Sequence, residues 1–153
     1  MHSHRPPVMF RMALPIIVGL VAAAIPCTVL EVGRANAQQA GNHGVKATPV
    51  FRQKMPNLPG KTMTVVAVEY EPGGGSAAHR HPASGMVFAY VLEGSIRSQL
   101  EGEPVKMYRV GEHWSEPPNA HHIISENASN DEPARLSAVI VADDDAAPTV
   151  FDK

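Results

Sequence analysis

The stretch PGGGSAAHRHPASGMVFAYVLEG, Pro72 to Gly94, decides how this chain folds. It holds a glycine-rich turn, two histidines one residue apart, an apolar run and a second turn at Glu93-Gly94-Ser95. Side chains alternate between the faces of a strand, so His79 and His81 project from the same side and can reach one metal ion together. Imidazole suits zinc, copper, iron and nickel alike. A third histidine lies in PPNAHH, Pro117 to His122, about forty residues later. That separation lets it return on a neighbouring strand and close a three-nitrogen site.

Outward from this stretch the pattern stays that of strands. Lys61 to Tyr70 is β-branched and alternating, and Pro72 to Ser76 reads as a turn whose glycines permit unusual backbone angles. Met86–Leu92, Ile96–Leu100, Val105–Val110, His113–Glu116, His121–Glu126 and Arg135–Ala142 follow as short strands, and Val50 to Arg52 is a weaker one. Turn signals at intervals of about 8–12 residues argue an all-β sandwich or barrel. No helix-length amphipathic stretch with caps competes.

The N-terminal residues 1–37 read as a signal sequence. Arg5 and Arg11 form a basic n-region, Ala13 to Val29 is nearly all apolar, and Ala35-Asn36-Ala37 supplies a small-residue cleavage pattern before Gln38. The alternative is an uncleaved membrane anchor, although Pro15 and Pro26 interrupt the apolar stretch, which falls short of the ~20 residues of a spanning helix. Cys27, the only cysteine, follows Pro26 where a lipoprotein signal needs a small residue, so lipidation is not expected. The mature chain would then lack cysteine, which excludes disulfides and thiolate ligands and leaves nitrogen and oxygen to hold any metal. Export to the periplasm or the medium, with no stable membrane insertion after cleavage, is the expectation.

About 116 residues remain after the leader, enough for one domain with a modest core. Ten basic residues face fourteen acidic ones over residues 38–153, a net charge of −4, with no basic patch and few aromatics. Nucleic acid is therefore not an expected partner. The run Asp143-Asp144-Asp145 reads as a solvated tail rather than a calcium site. Residues 38–49, polar and unpatterned, read as a flexible lead-in, 50–145 as the barrel and 146–153 as a C-terminal tail.

The two histidine segments together resemble the cupin superfamily. Its first motif reads Gly, five residues, His, one residue, His, a few residues, Glu, six residues, Gly, and Gly73, His79, His81 and Gly94 fit it. Its second reads Gly, five residues, Pro, one residue, Gly, two residues, His, three residues, Asn. Gly111, Pro117 and His122 fit, Asn119 stands in for the inner glycine, and Asn127 falls one place late. The resemblance covers residues 60–142 and implies a double-stranded β-helix, or jelly-roll, barrel that works as a homodimer, with the Val50 to Met63 region exchanged between partners. It also implies a divalent transition metal, Fe, Mn, Ni, Cu or Zn, and a small-molecule ligand within the barrel.

One departure from the pattern is the motif glutamate. Val87 occupies its place, one extra residue follows His81, and no Asp or Glu occurs between Glu71 and Glu93. The expected ligands are therefore His79, His81 and His122, a neutral trio that leaves a bound divalent ion strongly Lewis acidic. On this reading a glutamate at position 87 would restore the missing carboxylate. His121 is the rival of His122, and only one of two adjacent strand residues can face the interior. Glu116 is a weak catalytic candidate. Its simplest reading is an exposed strand-end glutamate, and the sharper one a carboxylate that orients a ligand histidine or serves as a base. Arg97 or Gln99 would face the cavity, and Phe88, Tyr90 and Trp114 would pack the barrel. Asn127-Ala128-Ser129 matches a glycosylation acceptor, incidental beside a bacterial-looking leader. Three readings follow from the resemblance: an oxygenase or related metalloenzyme with a three-histidine centre, a non-catalytic cupin that captures a metal, an organic acid or a sugar, or, with the motif glutamate missing, a structural barrel whose site holds no metal.

Overall fold

The computed structural model describes residues 42–153. The expected signal sequence, its cleavage after Ala37, Cys27 and the start of the lead-in lie outside the described residues. Those described are all β, without a helix: β1 His43–Lys54, β2 Lys61–Ser76, β3 His79–Arg80, β4 Met86–Glu93, β5 Ser95–Leu100, β6 Lys106–Arg109, β7 His113–Glu116, β8 His121–Asn127, β9 Ala134–Asp143 and β10 Val150–Phe151. Every pairing among them is antiparallel.

Two walls face each other across the interior. One runs β1-β2-β9-β4-β7, the other β10-β3-β8-β5-β6. The end of β2 joins them by crossing to β8, pairing Gly75 with Glu126 and Ser76 with Ser125. The tight turn at Gly94, in the left-handed region at φ 66°, sends β5 to the second wall. A Cβ there would come within 2.5 Å of the Pro133 carbonyl oxygen, which reserves the position for glycine. Asn119 supports the same argument in reverse. It holds the inner glycine's place in the second motif and is the one non-glycine among the described residues with positive φ, 62°. Asparagine tolerates that conformation better than most side chains, so the turn into β8 survives the exchange.

Alternation along β4 shows how the interior is lined. Val87, Ala89 and Val91 are buried, whereas Met86, Phe88, Tyr90 and Leu92 are 39–50% exposed. Phe88 and Tyr90 therefore do not pack the barrel as expected, because they share the outward parity of the strand. Trp114 does, stacked on Tyr108 with ring centroids 4.5 Å apart. The interior receives small aliphatic side chains instead, in clusters around Val91, Ile96 and Leu136 and around Val66, Val87 and Ile140. Small residues on facing strands leave space between the walls.

Three segments differ from the sequence-based expectation. Residues 43–49 are not a lead-in but the first half of β1, because β2 offers a ladder that needs no hydrophobic alternation in its partner. Pro72 to Ser76 continues β2 instead of ending it, with Gly73 at φ 69°. Residues 146–153 are not a plain tail, since Val150 and Phe151 pair with Arg80 and His79. The acidic run is partly engaged as well: Asp143 meets Lys61 at 2.7 Å and Asp144 meets Lys54 at 3.1 Å.

Candidate metal centre

The three histidines meet because two strands are in register. His79 on β3 is the direct partner of His122 on β8, and the His81 N–H continues the ladder to the Ala120 carbonyl at 3.1 Å. The rings of His79 and His81 stand edge to face with centroids 5.0 Å apart, and those of His79 and His122 are equally close. All three are buried, and each offers a ligand nitrogen within 4.8 Å of the others. His121 faces the opposite way, its Nε2 2.8 Å from Asp152 and its Nδ1 3.3 Å from Glu101. The adjacent pair thus divides as strand parity requires.

Hydrogen bonds fix the tautomers of two rings. His79 Nδ1 donates to the Ala77 carbonyl and His81 Nδ1 to the Pro148 carbonyl, each at 2.8 Å. In the neutral ring this leaves the Nε2 lone pair for a metal, the usual arrangement behind a histidine ligand. Burial, with help from neighbouring His122, lowers the His79 pKa to about 4, so the ring is neutral at physiological pH. His122 is braced on both sides, with Nε2 2.8 Å from the Ser98 hydroxyl and Nδ1 3.3 Å from Glu116 Oε1.

Glu116 is not an exposed strand-end residue. It is 2% exposed and enters the centre from β7, on the wall opposite His79 and His122. The Trp114 indole N–H donates to its Oε1 at 3.0 Å. Its Oε2 is 3.3 Å from His81 Nε2, yet makes no hydrogen bond. Burial pushes the carboxyl pKa up, but the hydrogen bond and charge of His122, the charge of His81 and the Trp114 bond hold it down at about 2.

A cavity of about 130 Å³ opens onto these groups. Its walls are chiefly aliphatic, with Val66, Val68, Ala89, Leu136 and Ile140 among them. A buried Tyr70–Ser125 hydroxyl pair, 2.7 Å apart, adds a polar spot, and burial raises the Tyr70 pKa to about 12. Thr149 and Phe151 close one side, Phe151 lying 5.7 Å from the His79 ring. Neither Arg97 nor Gln99 lines the cavity; the buried residues on β5 are Ile96 and Ser98, the latter lying between them. Counting by twos from buried Ile96 would have found Ser98. Nothing in the sequence marks Pro148, Thr149 and Phe151. Asn127 is buried and donates to the Glu71 and Glu132 carbonyls, which gives it a structural task rather than that of a glycan acceptor.

Comparison with known proteins places this geometry. Residues 66–141 match the family described as a cupin domain. A cupin-like protein from Thermotoga maritima superposes with a TM-score of 0.56 at 24% identity, covering 74% of this chain and 77% of its own. An uncharacterised conserved protein with a double-stranded β-helix domain from Klebsiella pneumoniae gives 0.56 at 20% identity, covering 74% and 89%. Oxalate oxidase in complex with glycolate gives 0.53 at 21% identity, covering 71% of this chain and 55% of its own. At these identities the likeness carries the fold, a cupin double-stranded β-helix. Among curated proteins, none matches the chain.

Proposed function

We propose that the protein is an exported metal-binding cupin, a reading supported by the match of residues 66–141 to the cupin domain and by three buried imidazoles. It would act as a small-molecule oxygenase or a related metalloenzyme. The observation that carries this reading is the cluster of His79, His81 and His122, buried at a cavity with two Nε2 lone pairs oriented by backbone acceptors. The donor set of nitrogen and oxygen suits Fe, Mn, Ni, Cu or Zn. A bound ion would supply Lewis acidity or redox chemistry; the protein supplies orientation and a water-poor enclosure.

The cavity narrows the ligand class. Its volume is comparable with the ~150 Å³ that accommodates benzene. No lysine or arginine lines it among the described residues, so a second carboxylate on the ligand would lack a counter-charge. The fitting ligand is small and largely apolar, with one chelating end. The same lack of clamping side chains favours the second reading, a non-catalytic cupin that only captures its ligand.

Metal analysis of residues 38–153, purified without a histidine tag, tests the reading. Near one equivalent of Fe, Mn, Ni or Cu is expected, and it should vanish in His79→Ala/His81→Ala and persist in His121→Ala. Bound zinc would favour capture or hydrolysis over redox chemistry. No metal after incubation with each ion would overturn the reading. Export rests on residues 1–37, and N-terminal sequencing of periplasmic or secreted protein should begin at Gln38.

The homodimer is part of the same proposal. Phe51, Val65, Val139 and Phe88 form one outward row across β1, β2, β9 and β4 by direct register pairs. Met63, Val141 and Met86 form the next. Contiguous exposed apolar surface of this kind marks association sites. Residues 51–54 of the segment proposed for exchange pair within one chain, β1 on β2. Sedimentation should give a dimer for the wild type and a monomer for Phe88→Glu/Val139→Glu; a wild-type monomer would remove the dimer from the proposal.

A further inference from the structure

The cupin pattern places a carboxylate at the position held here by Val87, and β4 carries none there. Val87 and Glu116 are direct partners across the β4–β7 ladder. Direct partners project to the same face of a sheet with Cβ atoms about 4.5–5.5 Å apart. Val87 is buried and lines the same cavity as Glu116. The carboxylate missing from one strand is thus presented to the same interior by the next.

Its orientation is specific. Trp114 engages Oε1, which leaves Oε2 buried, without a hydrogen bond, 3.3 Å from His81 Nε2. Since His81 Nδ1 donates to Pro148, the ring in its neutral form turns a lone pair toward that oxygen. Two acceptors facing each other in a dry interior repel unless a proton or a metal cation lies between them. Neighbouring ligands of one ion at about 2.0–2.2 Å stand roughly 3.0–3.4 Å apart, and the observed separation falls within that range.

We propose that Glu116 is the fourth ligand of the centre, its carboxylate transferred across the β4–β7 ladder from the position of Val87. The proposal rests on the metal-binding reading above. Three imidazoles and one carboxylate would then give the ion a partly compensated charge, in place of a neutral trio. The arrangement also accounts for Trp114, whose indole holds the carboxylate by one oxygen and frees the other.

Affinity for Mn(II) and Co(II), measured by chelator competition on the folded protein, tests it together with the visible spectrum of the Co(II) form. Glu116→Gln keeps the shape and removes the charge. It should weaken both ions by more than about tenfold and alter the Co(II) bands, with unchanged far-ultraviolet circular dichroism. The exchange variant Val87→Glu/Glu116→Val should regain most of that loss. Wild-type affinity and spectrum in Glu116→Gln would overturn the proposal and leave a proton shared between Glu116 and His81. An exchange variant as weak as Glu116→Gln would overturn the equivalence of the two positions. Failure of the wild type to bind either ion would instead remove the metal reading itself.

Discussion

A glutamate at Val87 would stand beside Glu116, its partner across the ladder. The sequence pattern would have it restore a ligand; in the fold it would also place a second buried carboxylate beside Glu116. Two buried carboxylates side by side repel, and Val87→Glu should lower the stability of the metal-free protein by on the order of 2–4 kcal/mol. An unchanged urea midpoint would show that the two side chains do not share a face. His79 makes a second prediction at this scale. Its pKa is near 4 in the fold against 6.5 for the free side chain, so the unfolded chain takes up the proton first as pH falls. Stability of the chelator-treated protein is therefore complete above about pH 6.5 and falls toward pH 4, by on the order of 3 kcal/mol. Glu116, held at about 2, extends the decline in the same direction below its free value of 4.5. Denaturant titrations at pH 7, 5.5 and 4 check this, and a flat profile would count against a neutral, buried His79.

Among the elements, β10 is short but well placed. It pairs with β3, and the segment around it supplies the Pro148 carbonyl to His81 and the Phe151 ring against His79. The His121–Asp152 contact and a bond from the Asp152 N–H to the Ala78 carbonyl, 3.0 Å, fasten it further. Removing residues 148–153 should leave the barrel folded but weaken metal binding by about tenfold, because His81 loses the acceptor that sets its tautomer. Circular dichroism beside chelator competition separates the two effects, and full affinity in the truncated protein would deny the segment that role. The sequence could not announce this strand. Two residues carry no periodicity, and their pairing depends on where β3 lies.

On the scale of the whole molecule, the centre draws on β3, β7 and β8, which adjoin only in the folded barrel. A metal that binds the native state alone stabilises it by about 2.7 kcal/mol at a hundredfold excess over Kd. Chelation should therefore lower the melting temperature by several degrees, and readdition should restore it; equal melting curves would mean that the centre is not preorganised for an ion. The sequence by itself determined the all-β barrel, its turn at Gly94, and that only one of His121 and His122 looks inward, the cupin resemblance pointing to His122. Those features depend on alternation and on backbone angles, which neighbouring residues specify. Only the tertiary structure decided that Glu116 is buried, that Ser98 braces His122, and that Thr149 and Phe151 wall the cavity. Each depends on which strand lies beside which, a long-range relation that no local pattern encodes.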